Sequence, residues 1–233
     1  MPTILRDLTP PILWNWVRRK RRGEQVQYAN RRYGPMQTDF SAVPLHVGRY
    51  AEIFERIALN DPNFDPELTR YRVYNICQAA RWALAVRGDF LCAGVSFGVA
   101  PRVAFEFLDF AGTGKTYHLL DPFDPAISGR FNGDADLVRR QYPDDAKIII
   151  HRAFAPEGIP DVPLAFAHFD TSKPAVEAAS LPIIYPLLSP GGIVIFDAFS
   201  STSAATREYS RAFAKMNLEP FWLPSGQVMI AKG

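Results

Sequence analysis

The sequence predicts an α/β domain in which a mostly parallel sheet, covered by helices on both faces, is closed by an antiparallel hairpin. Three observations predict it. From Asp89 onward, short and continuously apolar runs alternate with helical stretches, the pattern of strands buried on both sides. Near the C-terminus two β runs, EPFWLP and QVMIAKG, are joined by Ser225-Gly226 and read as a hairpin. The chain has 233 residues, 48% of them hydrophobic and 21% charged, which is enough to bury one sizeable core.

Residues 1–65 are expected to form an N-terminal helical arm or cap, and residues 66–233 the α/β domain. Pro10 and Pro11 open a short apolar helix that ends in the basic run RRKRR, and a Gly/Pro/Asn-rich connector follows. Residues 45–87 are mostly helical. In ELTRYRVYNICQAARWALAVRG, Tyr71, Tyr74, Ile76, Ala80, Ala83 and Leu84 approximate one face, and Gly88 supplies a stop. The expected strands are 89–94, 116–121, 146–152, 163–170 and 192–199. Helices are expected near 98–110, 134–142, 173–188 and 203–216. No internal repeat or low-complexity tract interrupts this order.

Charge and cysteine content narrow the classes. The net charge of +2 argues against a polyanion binder, and no nucleic-acid partner is expected. The positive charge is concentrated in Arg18, Arg19, Lys20, Arg21, Arg22, Arg31 and Arg32, opposed only by Glu24. Taking those seven from the 26 bases and that one from the 24 acids leaves 19 against 23, a mildly acidic body with a basic segment at 18–32. This segment is either a solvated helix end or a peripheral membrane-surface or partner-binding arm. Two cysteines, Cys77 and Cys92, make neither a disulfide framework nor a zinc site, which points to a reducing, cytoplasmic setting. The stretch PPILWNWV (10–17) is too short to cross a bilayer. Its charges follow it and no small-residue cleavage site appears, so neither a secretory signal nor a membrane span is expected.

Sheets of this kind bind ligands at the carboxyl ends of their strands. The first strand ends in CAGVSFG. There Gly94 lets the backbone approach a ligand, and the helix that follows offers N–H groups; a tight structural turn is the plain alternative. The second strand ends in Asp121, roughly 25–30 residues beyond the glycine turn, where a carboxylate suits both hydroxyls of a ribose; the alternative is a helix cap. The fourth strand ends in HFDTSKP. His168 and Asp170, two apart, share a face, and Thr171 or Ser172 can cap the next helix. SPGG (189–192) turns into a fifth strand that ends at Asp197. Asp170 and Asp197, on adjacent strands, then converge on one pocket unless both serve as caps.

The spacing of GDFLCAGVSFG, YHLLDPF, HFDTSKP and LLSPGGIVIFDAF resembles the macrocin and mycinamicin sugar O-methyltransferases, a branch of the class I S-adenosylmethionine (SAM)-dependent methyltransferases with a Rossmann-like sheet. The resemblance covers about residues 66–233, and the closing hairpin is the ending expected of such a sheet. The opening LRDLTPPIL is similar to relatives that modify glycans or polyketide sugars. It implies SAM as cofactor, a sugar, glycan or secondary-metabolite hydroxyl as acceptor, and a homodimer through the N-terminal helices. Gly94, Val95, Ser96 and Gly98 would cradle the methionine part of SAM, Asp121 would hold the ribose, and Ala153 and Phe154 would lie near the adenine. Asp170 and Asp197 would face the acceptor and a magnesium ion. Asp170 is the first candidate for base or metal ligand, followed by His168 and Asp197, because a hydroxyl must lose its proton to attack. For His168 a satisfied strand histidine is the plain alternative, and His151 and His118 are read as structural.

The chain departs from that pattern at Cys92, where the family has an acid, and at Val99, where it has a further glycine. Its metal acids are thinned, with Ser172 and Ala198 at two of their positions, so magnesium would have two carboxylates plus waters. Three alternatives follow. A decayed, non-catalytic SAM-binding protein accounts for Cys92, Ser172 and Ala198. An NAD-dependent oxidoreductase shares the logic of Asp121 but needs a G-x-G-x-x-G run that Gly94-Val95-Ser96-Phe97-Gly98 does not supply. A P-loop is suggested by AGTGKT (111–116), but Asp109 stands where its first glycine belongs and the run enters a strand instead of a helix.

Overall fold

The structure is a computed structural model, and it describes residues 32–33, 36–37, 43–58, 65–124, 133–198 and 203–233. The apolar stretch 10–17 and nearly all of the basic segment lie outside these residues. The chain enters through a small antiparallel ladder, β1 (Arg32–Tyr33) with β2 (Met36–Gln37), and three helices: α1 (Val43–His46), α2 (Arg49–Ala58) and α3 (Pro66–Ala83). The alternating part follows as β3 (Asp89–Ala93), α4 (Val99–Phe107), β4 (Tyr117–Leu120), α5 (Ala135–Arg139) and β5 (Ile148–His151). It continues as β6 (Leu164–Phe169), α6 (Pro174–Leu187), β7 (Leu188–Phe196) and α7 (Ser203–Met216), and closes with β8 (Phe221–Trp222) and β9 (Val228–Ala231).

Seven strands form one sheet in the order β5-β4-β3-β6-β7-β9-β8. The first five are mutually parallel, and β9 runs antiparallel to both β7 and β8. This is the expected Rossmann-like sheet with its antiparallel closure. The strand order reverses between β3 and β6, and at such a switch point the connecting loops part and leave room for a ligand.

All six residues of β6 are buried, as are all four of β4, which is why these strands read as continuous apolar runs. The two faces sort into separate clusters. Phe90, Cys92, Phe166, Ile193 and Ile195 pack with α2, α3 and α4, whereas Leu91, Ala93, Val194 and Phe196 pack with α6 and α7. Each fully buried Phe, Leu or Ile contributes roughly 1.5–3 kcal/mol relative to leaving it in water. On α3 the buried stripe is Val73, Ile76, Cys77, Ala80 and Ala83, at helical spacing. Leu45, Tyr50, Ile53 and Phe54 from α1 and α2 join the same cluster as the sheet, so these two helices pack into the core of the domain.

One element differs from its sequence pattern. SPGG was expected as a turn before a strand starting at Gly192, but β7 begins at Leu188 and runs through it. The register jumps from Leu164↔Leu188 to Phe166↔Ile193, so the extra residues of β7 are absorbed as an irregularity. Gly192 makes this tight path passable, since a Cβ there would lie 2.8 Å from the Ser189 carbonyl oxygen. Among the described residues, no helix is long and apolar enough to cross a membrane.

Candidate functional site

Four residues stand first after their strands, in one row across the carboxyl edge of the sheet, and backbone hydrogen bonds join them to it. Asp121 N donates to His151 O (3.1 Å), Gly94 N to Leu120 O (2.9 Å), Asp170 N to Ala93 O (2.8 Å) and Asp197 N to Phe169 O (2.9 Å). The row holds three of the carboxylates singled out from the sequence, together with the glycine.

Gly94 adopts φ +85°, and a Cβ there would lie 2.1 Å from the carbonyl oxygen of Asp170. Only glycine lets the loop after β3 lie against the loop after β6. That loop is next fastened by Asp121. Its Oδ2 accepts from Val95 N (2.8 Å) and Ser96 N (3.0 Å), and its Oδ1 from Phe123 N (2.8 Å). A carboxylate has about four acceptor positions, so one, on Oδ1, is left. The expected two-oxygen grip on a ribose therefore competes with the hold on Val95 and Ser96. Gly98, at φ +84°, caps α4 without a side-chain hydrogen bond. Ser96, Phe123 and Ser172, in the loops after β3, β4 and β6, have φ of 52°, 51° and 57°. Non-glycine residues held in this left-handed region cost about 1–3 kcal/mol each and gather at ligand-binding loops. Ala153 and Phe154 follow β5, and Phe154 is 42% exposed, leaving an aromatic face open beside the same edge.

His168 faces the α3 side of the sheet, in register with Cys92 and Ile195. It is buried at 1% exposure. Its Nδ1 lies 3.5 Å from Cys92 Sγ and its Nε2 lies 3.2 Å from Asp197 Oδ1, without the alignment of a hydrogen bond in the latter case. Burial by itself lowers an imidazole, but the Asp197 carboxylate and the Cys92 contact outweigh it and hold His168 well above its ordinary range. Burial raises Asp197, yet Arg72, His168 and Gln227 hold it below the ordinary carboxylate range. The two shifts agree on a buried ion pair, His168 protonated and Asp197 ionised. A histidine in that state carries a proton and has no lone pair with which to accept one.

Asp170 is different. Its side chain reaches solvent, while protein crowds around it. Burial first and then the like charge of Asp197 push its carboxyl up to about 6, against the pull of His168 and Arg72. Solvent access tempers the burial contribution, but the repulsion from Asp197 acts in the same direction. Asp170 is thus an ionised, accessible carboxylate at neutral pH with more basicity than an ordinary aspartate.

Three groups at this edge escaped the sequence reading. Arg72 reaches from α3, placing Nε 3.3 Å from Asp197 Oδ2 and donating from Nη2 to the Asp197 carbonyl. Gln227, from the closing hairpin, donates to Asp197 Oδ1 (2.6 Å) and accepts from Asn75 of α3 (3.0 Å). Glu177, on α6, is fully buried. Its Oε1 accepts from Thr171 N (2.8 Å), its Oε2 from Ala198 N (3.2 Å) and from the Tyr209 hydroxyl. Burial raises Glu177 to about 7 despite these donors. It is the one charged residue of a 14-residue helix, and a lone acid in an apolar run was the signal available for it. Arg72 lies in a helix with several charges and carried no comparable signal.

The donor set does not fit a magnesium ion. Oδ1 of Asp197 is taken by Gln227 and faces His168, and Oδ2 faces a guanidinium. Among the described residues no group of three His, Cys, Asp or Glu side chains is placed to hold a metal. The P-loop alternative also fails on geometry. Lys115 lies at the opposite edge, just before β4, and donates to Gly88 O (2.9 Å), whereas Thr116 N bonds Asp89 (2.9 Å).

No known family model matches the chain, and no curated protein matches it in sequence. Solved structures do match in fold. The O-methyltransferase NovP has a TM-score of 0.59 at 18% identity, covering 90% of this chain and 93% of that one. The calicheamicin methyltransferase CalS11 has 0.55 at 17%, covering 79% and 91%. The O-methyltransferase TomG from Streptomyces achromogenes, solved with SAM, has 0.54 at 14%, covering 82% and 94%. Likeness at these identities is likeness of fold, and the shared fold is the Rossmann-like sheet with its antiparallel closure.

Proposed function

We propose that the protein is a SAM-dependent O-methyltransferase acting on a hydroxyl of a sugar, glycan or natural product, within the macrocin/mycinamicin-like branch of the class I fold. The observation that carries this reading is the contact of Gly94 with the backbone carbonyl of Asp170, which brings the loop bearing this exposed acid against the loop that cradles the cofactor in this fold. Two of the matched structures, both of the calicheamicin methyltransferase CalS11, support the acceptor class, since that protein is described as a TDP-rhamnose 3'-O-methyltransferase.

In this reading Gly94 through Gly98 line the methionine part, Asp121 offers its remaining acceptor position to the ribose, and Phe154 stacks on the adenine. When bound, SAM supplies a methyl carbon on a sulfonium, which leaves as a neutral thioether. Asp170 accepts the proton of the acceptor hydroxyl as that oxygen becomes nucleophilic, and its raised basicity suits the task near neutral pH. His168 and Asp197 lie behind it as a fixed ion pair, and the loops around them hold the reactants in line.

Calorimetry with SAM and with S-adenosylhomocysteine, together with label transfer from methyl-labelled SAM to a panel of sugar and natural-product hydroxyls, tests the proposal. Binding of both with transfer to one acceptor is expected. Binding of neither overturns it. Binding of both with no transfer on any acceptor identifies instead a decayed, ligand-binding relative, the reading that Ser172 and Ala198 favour.

A further inference from the structure

We propose that Arg72 supplies, in place of a divalent metal ion, the positive charge at the acceptor end of the site. The inference rests on the methyltransferase reading and adds a residue that the sheet itself does not provide. Arg72 comes from α3, outside the alternating part of the chain. Its Nε and Nη2 are directed at Asp197, and Nη1 has no protein partner among the described residues. The side chain is 29% exposed.

Asp197 explains why a protein cation belongs here. It is buried at 6% exposure beside a second carboxylate, Asp170, and a buried anion without a counter-charge is costly. A metal ion could balance two such carboxylates, but the Asp197 oxygens are already turned to Gln227, His168 and Arg72. The guanidinium is also held in position. Asn75, one helical turn after Arg72, bonds both Ser225 (3.1 Å) and Gln227 (3.0 Å) of the closing hairpin, which latches this part of α3 onto the edge of the sheet. A fixed, always-charged group with a spare donor near Asp170 is suited to bind an acceptor oxygen as it loses its proton. The chemistry recognised is therefore a neutral hydroxyl held between a guanidinium donor and a carboxylate acceptor, with no requirement for a neighbouring second hydroxyl to chelate a metal.

The test uses Mn²⁺ alone as a probe, followed by electron paramagnetic resonance on the full chain saturated with S-adenosylhomocysteine. Wild type is expected to leave the free-ion signal unchanged. Arg72→Gln exposes two carboxylates without that counter-charge and is expected to bind Mn²⁺ roughly tenfold or more tightly than wild type. Arg72→Lys keeps the charge and is expected to exclude the ion as wild type does. One Mn²⁺ per wild-type chain, lost in Asp170→Asn, overturns the proposal, and that titration decides the matter even if Arg72→Gln does not fold. Equal, weak binding by wild type and a folded Arg72→Gln overturns it as well. The S-adenosylhomocysteine titration is read separately: its failure sinks the methyltransferase reading and not the charge balance at Asp197.

Discussion

Glu177 and Thr171 are joined twice, the Thr171 backbone N–H at 2.8 Å and its hydroxyl at 3.1 Å from the same Glu177 Oε1, while the other oxygen reaches Ala198 N at 3.2 Å. One buried carboxyl on α6 thus ties together the residues that immediately follow Asp170 and Asp197. Replacing it by alanine leaves two backbone donors without their partner and opens a cavity. An unsatisfied buried donor costs about 1–3 kcal/mol, so Glu177→Ala is expected to lower the unfolding free energy by ~3 kcal/mol or more in urea titrations. A loss below ~1 kcal/mol would mean that the two loops are held by something else.

The same carboxyl gives stability a pH dependence of definite sign. Its folded value, about 7, lies above its ordinary value of 4.5. The folded state therefore binds more protons than the unfolded state between those values, and stability falls as pH rises through that window. The difference corresponds to ~3 kcal/mol at most. Asp170, raised to about 6, acts in the same direction over this window, His168 does so above its ordinary value of 6.5, and His118 and His151, lowered chiefly by burial, act in the opposite direction below it. The thermal midpoint of wild type is expected to drop between pH 4.5 and pH 7, and Glu177→Gln to flatten that drop. A Glu177→Gln midpoint that follows the wild-type pH profile contradicts the assignment.

Gly94→Ala tests the packing of the loop after β3. The new Cβ would meet backbone, the Asp170 carbonyl oxygen at 2.1 Å, and no side chain could swing away to relieve it. A left-handed conformation adds about 1–2 kcal/mol for a non-glycine residue. The expected outcome is a folded but less stable protein whose affinity for S-adenosylhomocysteine falls beyond calorimetric detection. Unchanged affinity would mean that the ligand binds away from this loop.

The row Gly94, Asp121, Asp170 and Asp197 was legible because strand ends are visible in a sequence: an apolar run stops at a glycine or an acid, and sheet geometry does the rest. The contributions of α3 and of the closing hairpin were not. Arg72 and Gln227 meet Asp197 across 125 and 30 residues of chain, and no local pattern encodes which face of α3 turns toward the sheet edge. Protonation was also hidden. His168, two residues before Asp170, could be read as a base or as a structural strand histidine, and it is the buried Asp197 facing it that raises it toward the protonated form. Asp121 shows the same limit: its position was readable, but its bonds to Val95 and Ser96 depend on how the loop closes. Asp121→Asn presents an amide N–H₂ to donors it cannot accept from, either at Val95 and Ser96 or at Phe123. Calorimetry is expected to show a loss of roughly tenfold or more in SAM affinity, with the fold retained by circular dichroism.

Asp170 is the residue on which turnover should depend most. It is exposed at the carboxyl edge of the sheet, whereas Asp197 and His168 are buried and paired, so it is the one group of the three free to take a proton from an incoming hydroxyl. General-base catalysis by a positioned side chain contributes typically ~10²–10⁴-fold. Asp170→Asn keeps the shape and removes the basic lone pair, so kcat is expected to fall by at least ~100-fold. Cofactor binding should change little, because Asp170 meets the Gly94 loop through its carbonyl and not through its carboxyl. The pH profile gives an independent check. A base raised to about 6 must lose its proton before it can act, so kcat/KM should rise with pH and level off above that value. In Asp170→Asn the rise near pH 6 should vanish from whatever activity is left. A profile that is flat from pH 5 to 8 in wild type, or a variant that loses cofactor affinity as steeply as rate, would move the base to another residue.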